Sequence, residues 1–96
     1  MNDRYDTPLE EWLAVLTELW TAVGKPVNPR RLELYQRSLA EVPLGLLELA
    51  VRRVIRENTF NVIPVPAVVW AAVRKELGYP DNVEAAIEAW VEKRWG

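Results

Sequence analysis

The sequence predicts an all-α fold, a compact single-domain bundle of four to five short helices. Three observations carry that prediction. Apolar residues recur at helical spacing along most of the chain, and proline-bearing caps and glycine stops punctuate it at short intervals. In addition, no two segments alternate in a way that would let them pair as strands. A chain of 96 residues is one domain's worth, so positions 1–96 are read as a single unit.

The first helix is expected over about 8–23. Thr7-Pro8-Leu9-Glu10 supplies an N-cap threonine, a proline at the first helical position and a glutamate two residues on, which together form a capping box. Trp12, Leu13, Leu16, Leu19, Trp20 and Val23 follow one face, and Gly24 ends the run before Lys25-Pro26. Asn28-Pro29 repeats the start signal for a second helix over 29–40, with Leu32, Tyr35 and Leu39 turned inward. Val42-Pro43 interrupts, and Pro43 opens a third helix over 43–58 whose buried face is Leu47, Ala50, Val51, Val54 and Ile55. Gly45 falls in its first turn, where glycine costs little.

The stretch "TFNVIPVPAVVW", residues 59 to 70, is the one ambiguous passage. Val62, Ile63 and Val65 suit a strand, yet Pro64 and Pro66 would each remove a ladder donor. A proline also forces the residue before it into extended backbone, so Ile63 and Val65 are accounted for locally. Pro66 then serves as the first residue of a fourth helix over 66–77, carrying Val69, Trp70, Val73 and Leu77 and stopped by Gly78. Asp81-Asn82-Val83-Glu84 is a further capping-box-like start, and Val83, Ala86, Ile87, Trp90 and Val91 define a fifth helix over 82–95.

Composition closes several routes to chemistry. The chain has neither cysteine nor histidine. Disulfides, thiolate metal sites, imidazole bases and cysteine- or serine-type triads are thereby excluded. Ser38, the only serine, has no glycine elbow around it. An enzyme is therefore not expected, nor is a cofactor. Met1-Asn2-Asp3-Arg4 leads into polar sequence, so no secretory leader and no membrane span are expected, which points to the cytoplasm. Net charge is −2, but its distribution is uneven: one basic residue against five acids over 1–24, seven against three over 25–56, and four against six over 57–96. A basic middle suits phosphate and acidic ends suit a basic protein.

Three constellations stand out. Arg52, Arg53 and Arg56 crowd the third helix, with Arg30, Arg31 and Arg37 on the second. They read as a patch for nucleic acid or an acidic partner, against the plainer reading of a solvated face in which Glu33–Arg37 and Glu48–Arg52 pair one turn apart. Glu84, Glu88 and Glu92 form an acidic stripe on the last helix. A magnesium site is the sharper idea for it. Metal carboxylates usually converge from several elements, however, so a solvated or partner-facing stripe fits better and no metal is assigned. Of the five tryptophans, Trp12, Trp20, Trp70 and Trp90 fall on predicted core faces. Trp95 lies beyond them, and for it partner contact and folding back onto the bundle both stay open.

From Leu32 to Gly78 the text "LELYQRSLAEVPLGLLELAVRRVIRENTFNVIPVPAVVWAAVRKELG" resembles the helicase loader/inhibitor family of small phage and prophage replication proteins. The features that carry the resemblance are Trp12 on an amphipathic first helix, Tyr35 and Leu39 on the second and the Val42-Pro43 turn. Ala50-Val51 and Ile55, then Phe60 with Pro64 and Pro66 opening the next helix, complete them. The resemblance implies an all-helical phage replication accessory protein that binds a DnaB-type replicative helicase, as loader or inhibitor, by stoichiometric protein–protein interaction. From charge and exposure alone, Glu84, Glu88, Glu92 and Trp95 are the candidates for the partner contact, and Arg52, Arg53 and Arg56 for DNA or an acidic surface. A small DNA-binding regulator and a phage inhibitor of a host enzyme such as RNA polymerase are the alternatives. Self-association through Trp95 stays open as well.

Overall fold

A computed structural model describes residues 9–57 and 64–95. Five helices follow in order: α1 Leu9–Val23, α2 Pro29–Ser38, α3 Leu44–Glu57, α4 Pro66–Glu76 and α5 Val83–Trp95. No strand occurs among the described residues. The expected Thr7-Pro8 cap, residues 58–63 with Phe60, Val62 and Ile63, and the Trp95 side chain lie outside the described residues.

The sequence punctuation acts where it was expected to. Asn28 takes an extended conformation and its Oδ1 accepts from the N–H groups of Arg30 (3.0 Å) and Arg31 (3.3 Å), with Pro29 opening α2. Pro66 opens α4 behind an extended Val65 (φ −73°, ψ 159°), so the part of the ambiguous passage from Val65 on is a helix start. In α5 the cap is Asn82, whose Oδ1 accepts from the Ala85 N–H at 3.1 Å. Gly24 (φ 69°) and Gly78 (φ 80°) both adopt left-handed backbone. At each glycine two crossed bonds close the helix: Gly24 N–H to Thr21 C=O with Lys25 N–H to Trp20 C=O, and Gly78 N–H to Lys75 C=O with Tyr79 N–H to Arg74 C=O. This pattern satisfies carbonyls that a helix end otherwise leaves without donors.

Four described boundaries differ from expectation, among them the end of α4 at Glu76 rather than 77 and the start of α5 at Val83 rather than 82, where Asn82 is the cap. Helix α2 stops at Ser38 rather than 40, because the Leu39 backbone (φ −109°, ψ 13°) leaves the helical path while its N–H still reaches the Tyr35 carbonyl. Pro43 is the cap of α3 rather than its first residue, since its carbonyl accepts from the Leu47 N–H at 2.9 Å. The turn between α2 and α3 is held from outside. The Trp12 indole N–H donates to the Val42 carbonyl at 2.8 Å, and the Trp70 indole N–H to the Ser38 carbonyl at 2.8 Å. Helices α1 and α4 thus supply the donors this turn lacks.

Helix α3 is the centre of the bundle, with α4 packed closely on one side and α1 on the other. Its Leu46, Leu47, Ala50 and Val51 are fully buried, against Leu16 and Leu19 of α1 and Val69 and Val73 of α4 in one continuous core. Each such aliphatic side chain contributes on the order of 1.5–3 kcal/mol. Trp20 and Tyr35 meet edge to face, 5.5 Å between centroids. The Tyr35 hydroxyl, in a residue only 1% exposed, finds no hydrogen-bond partner among the described residues. Burial pushes its pKa up, with Arg31 opposing. Tyr35→Phe keeps the ring contact and removes a stranded hydroxyl, so it should leave stability unchanged or raise it by about 1 kcal/mol. A urea titration followed by circular dichroism reads this directly, and a clear loss of stability would show that the hydroxyl is bonded after all.

Candidate functional site

Helix α5 attaches to the bundle through side chains rather than by close backbone approach. Ile87 and Val91 are buried in the common core, and Trp90 packs against its edge. The indole of Trp90 reaches over the first turn of α3, where a Cβ on Gly45 would stand 2.8 Å from its Cη2. Arg94 covers the same ring, its guanidinium carbon 4.5 Å from the centroid. Glycine at 45 is therefore a matter of close approach: only a bare backbone lets the indole lie there.

With that face turned inward, Glu84, Glu88 and Glu92 are all exposed along the flank of α5. They run along one helix and do not converge. No group of acidic side chains able to hold a metal ion occurs among the described residues.

The predicted arginine trio divides. Arg53 is drawn out of it by two carboxylates, Glu57 one turn on and Glu76 on α4, the second of which no local spacing signals. Its Nη2 and Nε donate to Glu76 Oε2 on α4, at 2.6 and 3.2 Å, and its Nη1 to Glu57 Oε2 at 3.3 Å. Lys75 Nζ reaches the other oxygen of Glu57 at 3.4 Å, so four charges join the ends of α3 and α4. The hydrogen bonds to Glu76 hold the Arg53 guanidinium above its ordinary pKa, against the effect of burial. Burial pushes the Glu57 carboxyl up, but Lys75 and Arg53 together outweigh it and hold it below the usual range. Arg53 is thus a clamp residue and not an open cation. Arg52 and Arg56 remain exposed, with no ion pair among the described residues. The expected Glu48–Arg52 pair does not form, while Glu33–Arg37 does, at 2.8 Å.

One feature of the surface was not anticipated. A groove of ≈ 470 Å³ opens between α4 and α5, floored by Ala67, Trp70, Val83 and Ile87 and rimmed by Ser38, Glu41, Arg74 and Glu84. Ala67, Trp70 and Arg74 sit three and four residues apart on α4, a spacing that does mark one helix face in the sequence. Nothing in the spacing shows that α5 would bring Val83 and Glu84 alongside.

No family model, curated protein or solved structure matches the chain. The surfaces of the molecule are therefore read on their own chemistry. No described helix is long and apolar enough to cross a membrane.

Proposed function

We propose that the chain is a non-catalytic protein-binding module that works by stoichiometric docking of the acidic flank of α5 on a basic surface of its partner. The sequence resemblance names that partner as a DnaB-type replicative helicase, loaded or restrained during phage or prophage DNA replication in the host cytoplasm. The observation that supports the reading is the disposition of α5. Ile87, Val91 and Trp90 are spent on the bundle, and Glu84, Glu88 and Glu92 are presented on a helix whose orientation Trp90 helps to fix. Like charges one turn apart weaken a helix slightly, and a basic partner would relieve that.

The test is affinity capture from host and phage extract with mass spectrometry, repeated with Glu84→Lys/Glu92→Lys. Wild-type protein should recover a hexameric helicase, and the double variant should lose at least about tenfold of that binding, on the order of 1.4 kcal/mol. Recovery of RNA polymerase would transfer the reading to a host-enzyme inhibitor, and recovery of neither would discard it. A second reading, contact with DNA, draws on Arg52 and Arg56, which are exposed and form no ion pair among the described residues. Its mark would be binding that falls steeply with salt and is lost in Arg52→Ala/Arg56→Ala, a variant that leaves the Arg53 clamp intact.

A further inference from the structure

The groove between α4 and α5 combines three properties that the acidic flank alone does not have. Its floor is apolar, made by Ala67, Val83, Ile87 and the indole of Trp70. That indole is fixed in place, because its N–H is committed to the Ser38 carbonyl at 2.8 Å, so the floor exists before anything binds. Its rim carries two carboxylates, Glu41 and Glu84, against one guanidinium, Arg74, and none of the three forms an ion pair among the described residues. The groove measures ≈ 470 Å³ and lies open to solvent along its length.

We infer that this groove receives an apolar side chain from a partner segment that carries a lysine or arginine beside it. The inference rests on the reading of α5 as a docking face and gives that face its anchor, since Glu84 belongs both to the acidic stripe and to the groove rim. A leucine or phenylalanine of the partner would cover the exposed parts of Trp70 and Val83, and the adjacent cation would meet Glu84 and Glu41 in turn. The surplus of one negative charge at the rim selects a basic segment over an acidic one. Burying an aromatic-walled pocket beside a charged rim is the arrangement in which interface energy concentrates.

The experiment uses two synthetic amphipathic helical peptides, identical except that lysines flank the apolar stripe in one and glutamates in the other. Each is titrated into the full chain by proton–nitrogen NMR. The lysine peptide should shift the Trp70 indole resonance and the amides of Ala67, Val83 and Glu84, and the glutamate peptide should not. Ala67→Phe, a change at an exposed position that fills the groove, should weaken the lysine peptide at least about tenfold while leaving the circular dichroism spectrum unchanged. Arg74→Glu should instead strengthen it several-fold, a gain that simple loss of structure does not produce. Shifts confined to other surfaces, equal binding of both peptides, or an Ala67→Phe effect on self-association alone would each overturn the inference. Helicase capture keeps the two claims apart. If Glu84→Lys/Glu92→Lys loses the helicase but Ala67→Phe retains it, the docking face stands and the groove is not its anchor. If wild-type protein captures no helicase, the peptide titration still decides the groove.

Discussion

Trp12→Ala should destabilise the protein by about 3–5 kcal/mol, much of the stability available to a domain of this size. Two separable losses make up that figure. The first is packing: Trp12 is 7% exposed and lies in the core cluster with Leu16 and Val42. The second is polar. The Trp12 indole N–H donates to the Val42 carbonyl, which precedes Pro43, in a bond buried from solvent. Trp12→Phe separates the two. It retains most of the ring but strands the carbonyl, and should cost about 1–3 kcal/mol by itself. Denaturant titrations of the three proteins give both values. A Trp12→Phe midpoint equal to that of wild type would show that water or another donor replaces the indole, and would reduce the residue to a space-filler.

Gly45→Ala should cost about 1–3 kcal/mol, although alanine is the better helix former by about 1 kcal/mol. The added methyl would stand 2.8 Å from the Trp90 indole, and that ring is itself covered by Arg94. The ring must therefore move, and with it the part of α5 that Trp90 positions. In a Trp90→Ala background the obstruction is gone and the intrinsic preference returns, so the same Gly45→Ala change should become neutral or stabilising. Inversion of sign across this double-mutant cycle identifies the contact. A Gly45→Ala cost that is the same in both backgrounds would place its cause in the backbone and not in the indole.

These two sites also mark the limit of what could be read from the residues in order. The helix starts at Asn28-Pro29 and Pro66 and the stops at Gly24 and Gly78 were legible because each is decided within one turn of chain, by a missing donor or a left-handed backbone. The inward faces were legible for the same reason, since Tyr35, Leu39, Val51 and Val73 follow helical spacing into the core. The use of Trp70 was only half legible. Its place on an apolar face was plain, but the bond that fixes it runs to Ser38, 32 residues earlier. Gly45 looked like a tolerated first-turn glycine until Trp90 was brought onto it from the other end of the chain.

The candidate site divides along the same line. The exposure of Glu84, Glu88 and Glu92 followed from one helix alone. Arg53 did not, because the one-turn rule offers Glu57 and says nothing of Glu76, 23 residues on. The groove requires the first turns of α5 to meet α4 and the 38–41 segment, a relation that no local pattern in the chain encodes.

The carbonyls of Ser38 and Val42 have a consequence for how the molecule comes together. Both are satisfied by indoles 32 and 30 residues away, so the bend between α2 and α3, closed locally by the Val42 N–H to Leu39 carbonyl bond, is also tied to distant parts of the chain. Closing chain segments of that length carries an entropy cost that must be met before the bonds can form. Helix α2 starts on a local signal, but the bend that joins it to α3 is held by Trp12 of α1 and Trp70 of α4. The corner is thus braced over long sequence distances, and the indoles that look like ordinary core also hold its geometry.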